Sequence, residues 1–200
     1  VNTPGTFAKE LFSQIDSWSD VIELTVKGNI NDTDMSYLSR LENVTKIDLS
    51  QTKIKNVGGM GGLKKLTTVV LPTTVVNVYS DAFYYCSALK EISLPNVTEI
   101  GNSAFSHCDA LTSVNLPLAT EIGSYAFYYC SALKEISLPL VTEIGSSAFL
   151  RCDALTSVNL PLVTEIGSDA FYDCDALTSV NLPLVTEIGS DAFNSCDALK

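Results

Sequence analysis

Six cysteines, one histidine and a row of glutamates are the residues in this sequence whose types could do chemistry. Cys86, Cys108, Cys130, Cys152, Cys174 and Cys196 stand at a uniform spacing of 22. An even number raises the question of disulfides. A uniform spacing, however, puts every thiol at the same place in a repeated unit, with neighbours roughly 4.8 Å apart if the units pair as strands. Stacked equivalents point their Cβ bonds in parallel rather than toward each other, so buried free thiols are expected and bridges are disfavoured. Zinc needs ligands converging tetrahedrally on one point, which a row does not supply. His107 adjoins Cys108, but neighbours on a helical turn point about 100° apart and do not form a nucleophile and base pair. HExxH, a phosphate-binding glycine loop and GxSxG are all missing from the sequence. The expectation is no enzyme activity, no cofactor and no metal site. Glu99, Glu121, Glu143, Glu165 and Glu187 repeat at the same interval. Like charges about 5 Å apart cost about 1 kcal/mol per pair in water, so these side chains either splay into solvent or hold a cation such as calcium. Splaying is expected, because one carboxylate per unit gives few converging oxygens.

What positions these residues is a repeat. Residues 160–181 read LPLVTEIGSDAFYDCDALTSVN, and residues 138–159 differ from them at only three positions. Self-similarity at such a period marks a solenoid, a quasi-one-dimensional stack in which each unit contacts only its neighbours. Each unit carries a leucine, a β-branched residue three positions on and a leucine two beyond that, as in Leu155, Val158 and Leu160. The period-two part of that triplet predicts a short strand. A Leu-Pro step then closes the strand, since proline lacks a ladder donor. VTEIG follows, with its isoleucine inward and a glycine that predicts a close backbone approach or positive φ. Ala-Phe-x-x-Cys completes the unit as a short helical turn, with Ser168 or Asp169 available to cap it in its own unit. Phe83, Phe105, Phe127, Phe149, Phe171 and Phe193 should stack as a core column. The two residues between Phe and Cys should point outward, which places Tyr84, Tyr85, Tyr128, Tyr129 and Tyr172, with Tyr125 nearby, on one ridge. Tyrosines combine apolar area with a polar tip, so the ridge is either cover for the turns or an interface.

The chain divides into an amino-terminal capping helix in residues 1–20, irregular repeats over 21–70 and regular units of 22–23 residues over 71–200, all one continuous body. Over residues 3–18, Phe7, Leu11, Ile15 and Trp18 recur at helical spacing, and a helix here would cover the first rung's apolar side. Met35, Leu38, Leu41 and Val44 step by three after the cluster Asn31 to Asp34, predicting a helical or 3₁₀ turn. Ile54, Val57, Met60, Leu63 and Leu66 step likewise, so the same is expected there.

Apolar residues make up 46% of the chain and charged ones 18%, enough for a continuous core. The formal net charge of −11 would be repelled by a phosphate backbone or an anionic membrane. No run of 18 apolar residues exists. A start at Val1, with neither initiator Met nor leader, suits a mature chain whose signal was removed.

With the LxxVxLP strand, the glycine turn and the AFxxC closure in view, residues 66–200 resemble the BspA-like leucine-rich repeats of bacterial surface proteins. The stretch VIELTVKGNINDTDMSYLSRLENVTKIDLSQTKI over residues 21–54 is also similar to the amino-terminal part of secreted members from Bacteroides-type bacteria. The resemblance implies an α/β-type right-handed leucine-rich-repeat solenoid with a parallel strand face and short helical turns, secreted or on the cell surface, used for adhesion or protein binding. Outward strand residues form the candidate site: Glu91, Ser93, Ser113, Asn115, Glu135, Ser137, Ser157, Asn159, Ser179 and Asn181. Repetition of such a face lets one type of ligand be contacted several times. The expected partner is an extracellular protein or glycan of a host or neighbouring cell, and neither nucleic acid nor membrane insertion is expected. A solvated sheet face without a ligand, in a structural spacer or self-associating stalk, is the alternative. The repeat breaks off at Lys200 without a closing cap, as in a fragment; if the chain is whole, the last rung around Phe193, Cys196 and Leu199 is expected to seek a partner, end-to-end dimerisation supplying one.

Overall fold

The computed structural model describes residues 3–200. Its helices and strands are numbered here in chain order. The chain winds as a solenoid whose rungs pair in parallel along two faces. On the first face, β1 (Glu23–Gly28), β2 (Lys46–Thr52) and β4 (Thr68–Val70) form one sheet. β6 (Glu91–Ser93), β8 (Ser113–Asn115), β10 (Glu135–Ser137), β12 (Ser157–Asn159) and β14 (Ser179–Asn181) form the next. β4 and β6 belong to separate ladders where the unit is 23 rather than 22 residues long, measured from Leu71 to Leu94.

The second face is a sheet that the sequence reading did not resolve. Its strands are two residues each: β3 (Asn56–Val57), β5 (Asn77–Val78), β7 (Glu99–Ile100), β9 (Glu121–Ile122), β11 (Glu143–Ile144), β13 (Glu165–Ile166) and β15 (Glu187–Ile188). Glu faces out and Ile in, so the expected glutamate row is an in-register ladder, Glu99 beside Glu121 beside Glu143. All five glutamates are exposed.

The AFxxC segment differs from its expected form. It is a run of consecutive turns, not a helical turn. Ala82, Tyr84 and Cys86 donate their amides three residues back, to Tyr79, Asp81 and Phe83. The intervening amides of Asp81, Phe83 and Tyr85 donate instead to Asn102, Ala104 and Ser106 of the next rung, at 2.8–3.0 Å. This alternation holds the residue before each alanine and the residue before each cysteine at positive φ, among them Asp81 at 57° and Tyr85 at 56°. Twelve non-glycine residues take that conformation among the described ones. A residue of this kind normally costs about 1–2 kcal/mol, and here those from Asp81 to Asp173 are held by an amide bond to the next rung.

The side chains follow the expected pattern. Alanine, phenylalanine and cysteine of every turn through Cys174 are fully buried. The phenylalanines stack from Phe83 to Phe193 with centroids 5.1–5.3 Å apart and planes within 8° of parallel. The glycines after Ile serve close approach and have no positive φ. A Cβ on Gly145 would lie 2.5 Å from the Ser124 nitrogen and 2.6 Å from the Gly123 carbonyl carbon of the preceding rung. Tyr79 takes this place one rung after Gly58, where the chain leaves by another path through Gly59 at φ +73°.

At the amino end the helix is shorter than expected. α1 spans Phe7–Phe12, and a separate 3₁₀ turn, Trp18–Asp20, has its own capping box from Ser17. Pro4 precedes the helix, and residues 1–2 of the expected cap lie outside the described residues. Phe7 is buried, and Leu11, Ile15 and Trp18 pack against the core, so the covering role is retained. Buried Asp34 clasps the segment: its carboxylate accepts from the amides of Gly5 at 2.7 Å, Phe7 at 2.9 Å and Asn31 at 3.1 Å. Asn31 caps α2 (Asp32–Ser36), and a 3₁₀ turn, Leu38–Arg40, follows, as the spacing predicts. Residues 49–66, in contrast, form no helix. β2 runs to Thr52, β3 follows, and Gly58, Gly59, Gly61 and Gly62 keep the rest in turns.

Candidate binding face

Along β6 to β14 the side chains sort into two outward rows with Ile92, Val114, Ile136 and Val158 buried between them. Strand pairing places Glu91, Ser113, Glu135, Ser157 and Ser179 in one row. Ser93, Asn115, Ser137, Asn159 and Asn181 form the other. All ten are exposed. Eight of them line a groove of about 910 Å³ together with residues 68–73 of the β4 rung. Ser179 and Asn181 lie one rung beyond it, where the Asn181 side-chain Nδ2 donates to the Asn159 side-chain Oδ1 at 2.8 Å.

The residues that sequence reasoning left out are at the other end of the groove. Val70 is exposed at the outward place that Ser93 and Asn115 occupy in later units, with half-buried Leu71 beside it. The signal was available, because TVVLP breaks the polar alternation of EISLP. The groove therefore runs from an apolar end to a polar one, with carboxylates at Glu91 and Glu135 two rungs apart. Lys90 and Lys134 precede those glutamates and are exposed, and a threonine holds the same place in the other rungs from β2 to β14. On β2 the Ser50 hydroxyl and amide hold the Asp48 carboxyl below the usual carboxylate range. Hydroxyls, amides and single carboxylates of this kind recognise through hydrogen bonds and charge.

The thiols face the opposite way. All six cysteines are free and buried, and each Sγ donates across the rung gap to a carbonyl, as from Cys108 to Phe83 at 3.2 Å and from Cys152 to Phe127 at 3.3 Å. Burial pushes the Cys86 and Cys174 thiols up to about 12 and the three between them well above the usual range. The folded state thus keeps thiols protonated that the unfolded chain ionises near about 8.5. Stability from this source is complete below that pH and is lost as pH rises toward 12. A melting temperature that stays level between pH 9 and 11 in the native protein, but falls in a variant with the cysteines replaced by alanine, would contradict this.

His107 lies outside the column of thiols, its ring stacked between Tyr85 at 4.2 Å and Tyr129 at 4.9 Å. Cys108 points inward, so the two side chains diverge. Among the described residues no three His, Cys, Asp or Glu side chains are grouped to hold a metal ion.

The repeat profile of the BspA type leucine-rich repeat region, in six copies, matches residues 61–177 and 142–200. The chain belongs to the BspA-type leucine-rich-repeat family. Solved structures agree on the fold of this BspA-type chain. A leucine-rich repeat protein from Bacteroides ovatus is 24% identical, with a TM-score of 0.66 over 90% of this chain and 60% of its own. One from Eubacterium ventriosum gives the same identity, score and coverage, and the T. pallidum leucine-rich repeat protein gives 24% identity and 0.55 over 90% and 72%. The chain thus spans 60% of the length of the B. ovatus protein. Among curated proteins no sequence matches. BspA-type repeats are protein-interaction modules, typically non-catalytic and typically on extracellular or surface-associated proteins. Among the described residues no helix is long and apolar enough to cross a membrane.

Proposed function

We propose that this BspA-type solenoid is a secreted or cell-surface adhesion module that holds an extracellular protein of a host or neighbouring cell in the groove of its first strand face. The groove itself carries the reading: eight outward residues of four consecutive rungs line it, and an apolar patch at Val70 and Leu71 closes one end. A protein partner fits this mixture of apolar and polar surface better than a glycan does, because the apolar end offers a hydrophobic anchor and the carboxylates offer charge contacts. The test is charge reversal of Glu91 and Glu135 to lysine together with Asn159→Arg. These exposed changes leave the fold intact, and a partner bound in the groove should lose at least about tenfold in affinity. An affinity unchanged by all three substitutions would remove the groove from the site.

A further inference from the structure

The ridge of turns on the other side of the solenoid carries an aromatic array that the groove does not use. Tyr85, His107 and Tyr129 stack along the solenoid axis, with planes 13° and 27° apart. Tyr84 and Tyr128 stand across this column, at 84° and 80° to the His107 plane, so their rings lie along the axis. Tyr84 meets Tyr85 at 4.6 Å and 84°, and half-buried Tyr128 meets Tyr129 at 4.5 Å and 55°. Tyr84 is 39% exposed, and Tyr125, edge-on to Tyr128 at 5.6 Å, is 46% exposed. The residue between Tyr84 and Tyr128 in the ridge is Ser106, small and buried, so the two rings flank a low point.

Tyr84 and Tyr128 are two rungs apart, about 10 Å, which is twice the 5.1–5.3 Å step of the phenylalanine column. A polyproline II helix rises about 9.3 Å in three residues. It has no internal hydrogen bonds and packs its rings on aromatic side chains. Asp81 opens the turn that carries Tyr84 and Asp109 lies 4.0 Å from His107, while the Arg151 guanidinium lies over the Tyr129 ring at 5.3 Å and pairs with Asp173 at 2.7 Å. We propose that this ridge docks a polyproline II segment of a partner protein, with prolines at i and i+3 on Tyr84 and Tyr128 and a flanking lysine or arginine beside Asp81 and Asp109. The proposal concerns a different face from the groove and stands or falls apart from it.

The probe is a fluorescein-labelled oligoproline with a lysine at each end, titrated with the intact 200-residue chain and followed by anisotropy. Saturable binding is expected, with Tyr84→Ala and Tyr128→Ala each weakening it about tenfold. Tyr84→Phe should retain binding, since the ring and not the hydroxyl makes the contact, and lysine substitutions at Glu91 and Glu135 should leave it unchanged. Circular dichroism of each variant shows that the solenoid is intact. No saturable binding at millimolar protein, equal binding of a glycine-serine peptide of the same length and charge, or indifference to both alanine substitutions would overturn the proposal. So would capture of a β-linked oligosaccharide through the same two tyrosines without peptide binding.

Discussion

Replacing Phe127 by alanine is expected to lower the stability of the solenoid by about 4 kcal/mol. Phe127 lies in the middle of the column, fully buried, with Phe105 at 5.3 Å on one face and Phe149 at 5.2 Å on the other. Its removal takes away the transfer energy of a buried ring and leaves a hole that the neighbouring rungs cannot close. Their spacing is set by three sets of inter-rung backbone bonds, two strand ladders and the turn ladder between them. Phe193→Ala is the control, because that ring is half-buried and stacks on one side only, on Phe171. It should cost about half as much or less. Urea unfolding measures both. Each rung contacts only its neighbours, so Phe127→Ala should also broaden or split the transition by uncoupling the two halves of the stack. Equal losses for the two variants would mean that the column does not hold the rungs together.

Gly145→Ala is the second large effect, an expected loss of about 3 kcal/mol from a single added methyl group. The Cβ would collide with the backbone of the preceding rung at Ser124 and Gly123, and backbone locked in a ladder has no rotamer through which to move away. The molecule contains its own comparison. Gly58 occupies the corresponding place in the first strand of the same sheet, but β3 is an edge strand, and the rung before it carries α2 there, packed against Gly59 and not against Gly58. A Cβ there would meet only the Tyr79 side chain, at 3.5 Å, an ordinary contact. Gly58→Ala should therefore be nearly neutral, or slightly stabilising through the unfolded chain. Thermal melts of the two variants separate these cases, and a Gly145→Ala protein that melts with the wild type would show that the rung gap is slack.

These two cases also mark what was legible in the sequence. Phe127, Cys130 and Leu138 could be placed inward because every unit repeats them at one offset, and a one-dimensional stack converts a repeated offset into a spatial column. The exposed rows from Glu91 to Asn181 followed from strand alternation. The glutamate and isoleucine strands were not legible, since two residues are too short to show a period and their hydrogen bonds come from residues 22 positions away. The positive φ of Tyr85, His107 and Arg151 was hidden for a related reason. Such residues are usually glycine or asparagine when the local chain decides, and here the next rung decides. Helical spacing in Phe7, Leu11 and Ile15 was real, but the helix stops at residue 12 because Ser17 begins its own capped turn. Asp34 read as a local cap, and only the fold brings Gly5 and Phe7 to the same carboxylate. Val70 broke the polar pattern of the face in plain view, and its meaning appeared only when the groove placed it in line with Ser93 and Asn115.

The measurement that tests the groove as a protein-binding site most directly is a screen of the purified chain against extracellular-matrix and serum proteins and glycans. It would be read at low and physiological salt, beside the variant with lysine at 91 and 135 and arginine at 159. Screening shortens the Debye length to about 8 Å at physiological ionic strength, so diffuse attraction to a chain of net charge −11 fades while close contact survives. The expected result is a protein partner retained at physiological salt by the wild type and lost by the variant. A partner held equally by both, or silence across the whole screen from a folded chain, would contradict the assignment of binding to this face.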